Sequence, residues 1–214
     1  MPSIITHAAV PLALWCAADR GRIPPRLLAA GVIAAMLPDA DVLAFVLHIP
    51  YADAFGHRGA SHSLLFAGVL AALAAVLAFF GSGRPWSAPH SSGSRRPWSA
   101  VSCRPRLAPT KAGPTVTSTL QAAVFVFVCA ASHPLLDAMT SGGLGVALAW
   151  PWSEQRFFAP WRPIRVSPFA PQFFSARGVA TLLSELRWVW LPLATAVVAW
   201  KLIQPAPVTP RDPS

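Results

Sequence analysis

Charged side chains are scarce in this chain. They make up 12% of its 214 residues, and acidic ones are the rarest, with eight Asp and Glu against seventeen Lys and Arg. With an apolar fraction of 54% and a mean hydropathy of +0.50, that excludes an ordinary soluble domain. Cysteine is sparse too. Cys16, Cys103 and Cys129 form an odd, scattered set without a Cys-x-x-Cys pair, which argues against a disulfide framework and a thiolate zinc site. They read as small packing residues. No basic stretch precedes the first apolar segment and no clear cleavage site follows it, so His7 is expected to stay in the mature chain. GASHS at 59–63 lacks the Gly-x-Ser-x-Gly pattern of a nucleophile elbow, which disfavours a serine hydrolase. The net charge of +9 comes without a stripe of alternating basic and aromatic residues. Its arginines sit in loops beside apolar segments, where they set topology and meet anionic headgroups. Membrane lipids, not nucleic acid, are therefore the expected partners.

What the chain does have is apolar length. The stretch 64–80 carries no charge at all, and 120–136 and 186–203 are two further spanning candidates; each is at the short end of what crosses a hydrocarbon core. Stretches 4–18 and 27–46 are also apolar, but Pro38, Asp39 and Asp41 interrupt the second. A helix there should end or unwind at Met36–Pro38, leaving both aspartates on irregular backbone. Such backbone is tolerated at membrane depth when it lines a protein cavity. Between 81 and 119 the composition turns to Ser, Pro, Gly and Arg, and GSGRPWSA at 81–88 returns as GSRRPWSA at 93–100. This predicts one membrane-embedded helical domain over 1–204, a basic loop inserted at 81–119 and a disordered tail over 205–214. The expected fold class is an all-α, polytopic membrane bundle of about four to five helices with a polar metal-binding site near one interface.

Four short polar clusters break the apolar chain: THAAVPLA at 6–13, LPDADVL at 37–43, HRGASHS at 57–63 and SHPLLDA at 132–138. They hold His7, Asp39, Asp41, His57, His62, His133 and Asp137, a ligand set suited to zinc, manganese or iron. Placing the basic loop 81–119 in the cytoplasm sends all four clusters to the opposite face, because each adjoining helix starts or ends there. On that side lie Arg58, Arg156, Arg162, Arg165, Arg177 and Arg187, against eleven Lys and Arg on the other. The bias puts the site on the non-cytoplasmic side.

His133 and Asp137, four apart, share a helix face and can bind one ion. Asp39 and Asp41, on an extended turn after Pro38, would point alike and clamp or bridge two cations. His57 and His62 flank a turn before a helix, with Ser61 and Ser63 as N-caps or as donors to the ligands. Arg58 either neutralises an anionic substrate or steadies an aspartate. Seven potential ligands exceed one tetrahedral site and suit two metals with a bridging ligand.

Thr-His near the N-terminus, LPDxD, HRGxxHS and HxxLD, followed by a Gly-rich turn and a WPW segment, resemble the membrane-bound metal-dependent hydrolases of the YdjM/YbcI type. The resemblance spans most of the chain except 81–119 and the tail. Ala60 and Ser61 depart from the usual pattern at positions that are not ligands. The resemblance implies a multi-pass protein of the bacterial inner membrane and a hydrolase. Its motif positions fall on His7, Asp39, Asp41, His57, His62, His133 and Asp137. A more distant similarity to helical zinc-dependent phospholipase C proteins favours phosphoesters among substrates.

The resulting expectation is metal-activated water attacking an ester or phosphoester, with a lipid-linked substrate in view. Zinc is the first-choice metal, manganese or iron the alternatives, and two ions are expected. Asp39, His62 and Asp137 are assigned to catalysis as ligands or general base. Arg58, Arg156, Arg162 and Arg165 are assigned to the substrate's negative charge. Trp150, Trp152 and Trp161 beside those arginines also fit a plain interfacial anchor. Two rivals stay open: a non-catalytic protein with a structural or sensory metal, and a metal-free scaffold whose His and Asp pair with each other.

Overall fold

The computed structural model describes residues 1–19, 22–81, 116–168 and 170–204. Helices α1 (Ala9–Ala17), α2 (Pro25–Met36), α3 (Leu43–Val46), α4 (Leu64–Gly81), α5 (Val116–Ala138), α6 (Ala176–Glu185) and α7 (Leu191–Ile203) account for its regular structure. No strand occurs among the described residues, only two isolated bridges, Thr140 with Ile164 and Val146 with Phe157. A 3₁₀ turn, Ile4–Ala8, leads into α1, and a π-helical turn, Leu186–Trp190, joins α6 to α7. The rods are therefore fewer than the helices. Pro25–Val46, Ser118–Ala138 and Ala176–Ile203 are long and apolar enough to cross a membrane, and Ile4–Ala17 and Leu64–Phe80 are shorter apolar helices. That is the all-α bundle the sequence predicts.

The boundaries follow local chemistry. Pro25 opens α2 at a position where a missing N–H costs nothing. Pro38 ends that helix, and the backbone tightens into a 3₁₀ turn over Leu37–Val42 before α3 resumes. Ser63 caps α4, accepting from Phe66 N at 3.0 Å. Ser175 caps α6, accepting from Arg177 N at 3.2 Å. The last rod thus begins ten residues before the expected 186. Helix α4 runs through Gly81 and α5 starts at Val116. Residues 82–115 of the expected 81–119 loop, and the expected tail over 205–214, lie outside the described residues.

Packing is tightest where side chains are smallest. Helix α5 lies against α4 and α2, and Ala34, Ala35, Ala67, Ala130, Ala131 and Cys129 fill the crossing with Phe125 and Val126. Small residues let membrane helices approach closely, and dispersion contacts replace the hydrophobic drive that lipid cannot provide. At Gly31 a Cβ would sit 2.5 Å from Phe125 Cε1 and 3.0 Å from Cys129 Sγ. Gly31→Val is expected to destabilise the bundle by about 1–3 kcal/mol through overpacking. A lower thermal midpoint in detergent checks this; an unchanged one refutes the close α2–α5 contact. Outward-facing Val69, Leu73, Val76, Leu77, Val198, Leu202 and Ile203 are exposed, as lipid-facing side chains would be.

Opposite ends of the bundle are tied separately. At one, Lys201 Nζ donates to Ala18 O and Gln121 Nε2 to Arg22 O. At the other, the buried Glu185 carboxylate accepts from Ser3 N and Ser3 Oγ, both at 2.5 Å, and from Thr6 Oγ1 at 2.7 Å. The end of α2, the start of α4 and the end of α5 meet at this second end.

Candidate metal centre

All four polar clusters converge. His7 arrives on the first 3₁₀ turn, Asp39 on the turn after α2, His62 on the 3₁₀ turn Ala60–His62 before α4, and His133 and Asp137 on α5. Helix α5 continues through Pro134, so the i, i+4 pair keeps one face as expected. Asp39, His62, His133 and Asp137 each offer a ligand atom, and these atoms lie within 4.8 Å of one another. The imidazole of His7 stacks on that of His133, centroids 3.7 Å apart. None of the five is more than 3% exposed.

The two carboxylates split this group into halves. Asp39 Oδ2 and Asp137 Oδ1 each lie 3.7 Å from His7 Nε2. On the other side, Asp39 Oδ1 is 3.4 Å from His133 Nε2, and Asp137 Oδ2 is 3.2 Å from His62 Nε2. Neither oxygen of either aspartate makes a hydrogen bond, nor does either ring nitrogen of His7, although all are buried. Unsatisfied polar atoms at this density are costly, and a cation among them would remove the cost.

Two of the imidazoles are held in place through their Nδ1 atoms. His133 Nδ1 donates to Ala35 O at 2.7 Å, which leaves a lone pair on Nε2 facing inward. His62 Nδ1 lies 3.1 Å from Asp41 Oδ2, and its Nε2 lies 2.9 Å from that of His133. Burial lowers the pKa of His62, but the carboxylates of Asp137 and Asp41 outweigh it and hold the group at about 9. In the absence of an ion, a proton on His62 supplies the positive charge between the carboxylates.

Asp41 and His57 are placed differently from the expectation. In a 3₁₀ turn successive residues advance by about 120°, so side chains two apart diverge, whereas an extended turn would have aligned them. Asp39 turns inward. Asp41 turns towards the loop, where it accepts from His57 Nδ1 at 2.5 Å, Arg58 N at 2.9 Å and Ser61 Oγ at 2.8 Å. It braces His62 from behind. The alignment of Asp39 and Asp41 on two shared cations is thus corrected by the backbone they sit on. Ser61 and Ser63 take the donor and capping roles read from the sequence.

Of the four arginines assigned to substrate, one reaches the cluster. Arg58, at φ +63° and 1% exposed, sets its Nε 3.1 Å from Asp137 Oδ2. It also donates to Gly142 O and Thr140 Oγ1. It steadies an aspartate, one of the two roles foreseen. Arg156 donates to the carbonyls of Tyr51, Asp53, His57 and Arg58 and so pins the loop that carries His57. Arg162 lies exposed over the Phe158 ring, and Arg165 is exposed beside Ser184. Neither borders the cleft of about 610 Å³ that opens beside the cluster and is lined by Tyr51, His57, Arg58 and Arg177 among others.

Three residues of this region carried little sequence signal. Glu185 is one acid in an amphipathic helix. Thr140 is a small hydroxyl residue after α5. Tyr51 is the chain's single tyrosine and gains meaning only from its place in the cleft.

The YdjM inner membrane protein family model matches residues 1–208. Inner membrane protein YbcI of Escherichia coli (strain K12) is 42% identical over 204 residues, spanning 94% of this chain and 99% of that protein. No solved structure matches.

Proposed function

The chain belongs to the YdjM inner membrane protein family, and on that premise we propose that it is a metal-dependent hydrolase of the bacterial inner membrane. The observation that carries this reading is the pair of buried carboxylates, Asp39 and Asp137, left without hydrogen bonds among three imidazoles. The donor set is nitrogen and oxygen without sulfur, which suits zinc first and manganese or iron next. Asp39, Asp137, His7, His62 and His133 would hold the metal, and their number, with carboxylate oxygens facing His7 on one side and His62 and His133 on the other, supports room for two ions. Zinc bound there would supply Lewis acidity and lower the pKa of water towards neutrality.

The protein's own groups do the rest. Arg58 holds Asp137 against rotation and shares its charge, so that carboxylate stays ionised and aimed. Asp41 orients His62, and the Ala35 carbonyl orients His133. Asp39, His62 and Asp137 are assigned to catalysis, the two aspartates through their carboxylate oxygens and His62 through Nε2, each as a metal ligand or as the group that takes up a proton. The reaction class is hydrolysis of an ester or phosphoester, with the site on the non-cytoplasmic side.

A second reading is a closed structural or sensory metal site, favoured by the full burial of Asp39, His62, His133 and Asp137. Metal content by plasma mass spectrometry tests both. About two equivalents are expected in detergent-purified protein. Asp39→Ala should lose both ions and His7→Ala about one. Folded, metal-free Asp39→Ala protein would favour the catalytic reading, and loss of folding with the metal the structural one. A folded parent still empty after reconstitution with zinc and manganese would end both.

A further inference from the structure

We propose that the cleft beside the metal centre seats the net-negative, phosphate-bearing headgroup of a membrane lipid, with Arg177 as the anchoring cation. The proposal deepens the hydrolase reading and rests on it for what happens to the bound lipid.

The cleft has the size of a small-ligand site, about 610 Å³. Its floor is His57 and Arg58, both nearly fully buried, and Arg58 is the group that touches Asp137. A headgroup resting on this floor is therefore one side chain away from the buried carboxylates. Among the described residues no acidic one lines the cleft. The charge of Arg58 is offset by Asp137, whereas among the described residues no carboxylate pairs with the exposed guanidinium of Arg177. Arg177 sits in the first turn of α6, whose positive dipole end adds to the same field. Tyr51 closes one wall, and burial raises its pKa, so it stays a neutral phenol there. Beside it the lining is glycine by necessity. At Gly143, φ +90°, a Cβ would stand 2.7 Å from Arg58 Nη1 and 2.9 Å from the Tyr51 hydroxyl.

The surroundings of the mouth decide between a lipid and a free anion. Phe174, one residue before the α6 cap, is 92% exposed. Along the outside of α6, Val179, Leu182 and Leu183 are exposed as well. These apolar side chains gain nothing from inorganic phosphate, but acyl chains can lie along them while the phosphate reaches Arg177. A basic residue at the level where an apolar helix face begins is also where anionic headgroups gather.

The test is isothermal titration of the full chain in a neutral maltoside with dioctanoyl phosphatidate, dioctanoyl phosphatidylcholine and inorganic phosphate, with metal content measured on the same samples. Phosphatidate is expected to bind at least about tenfold more tightly than phosphatidylcholine and about a hundredfold more tightly than phosphate. Arg177→Glu should weaken phosphatidate by at least about tenfold, while Arg22→Glu, at the far end of the bundle, should leave it unchanged. Val166→Trp, which fills the cleft without touching a charge, should weaken it as well. Equal binding by the Arg177→Glu and parent proteins overturns the proposal, as does inorganic phosphate binding as tightly as the lipid. Full metal content without lipid binding sinks the lipid seat and leaves the hydrolase reading standing. Lipid binding that tracks Arg177 in a metal-free parent does the reverse.

Discussion

Exchanging Arg58 for methionine is expected to cost about 3–5 kcal/mol of folding free energy, the range for removing one partner of a buried ion pair. The guanidinium is 1% exposed, and its partner Asp137 is fully buried on α5. Methionine fills much of the same volume but leaves the carboxylate without its countercharge and strips Gly142 O and Thr140 Oγ1 of a donor. Lysine keeps a charge but cannot reproduce a fork that meets a carboxylate, a carbonyl and a hydroxyl together. Arg58→Lys should therefore fall between parent and methionine. Thermal melts in detergent read the order, and adding Asp137→Asn to Arg58→Met should recover part of the loss. A methionine variant that melts with the parent would remove Arg58 from its role at the centre.

The second large effect is on metal uptake against pH. His62 ordinarily titrates near 6.5 and in the folded, metal-free chain near 9, because Asp137 and Asp41 outweigh its burial. A cation can use Nε2 only after that proton leaves. Apparent zinc affinity should then rise about tenfold for each pH unit up to about 9 and level off above it. The same shift governs the stability of the metal-free protein. A raised pKa contributes stability that is complete below about 6.5 and lost as pH rises through about 9. Metal-free protein should thus melt progressively lower from neutral pH to about 9.5, while loaded protein should not follow. Competition with a chelating dye measures the first and differential scanning fluorimetry the second. Affinity independent of pH between 6.5 and 9 would mean that His62 is not a ligand.

Much of the cluster is legible in the sequence. Apolar segments that alternate direction force His7, the LPDAD turn, His62 and the His133–Asp137 pair to one end, and the bundle does so. The break at Pro38 and the capping by Ser63 also follow from local chemistry. What was not legible depends on geometry finer than residue spacing. Asp39 and Asp41 separate because the turn is 3₁₀, and nothing in LPDADV distinguishes that turn from an extended one. Arg156 reads as an anion-binding residue because arginine in a Trp-rich loop usually faces outward; its four carbonyl partners come from a loop about a hundred residues earlier. Glu185 carries little signal because one acid on an amphipathic helix resembles a solvated face. It is instead buried against Ser3 and Thr6 and holds the segment that presents His7.

The bundle also works as a ruler. Helix α4 starts at the residue after Ser63, beside His62, and ends at Gly81, so about 27 Å of helix axis separates the centre from the point where the chain leaves α4. Helix α5 returns over about 32 Å of axis, from Val116 to Asp137. A protease site or fluorescent domain inserted between 81 and 116 is therefore attached to the bundle at helix ends about one helix length from the Asp–His cluster. The compartment in which that insert is cut or glows identifies, by subtraction, the compartment that the Asp–His cluster faces.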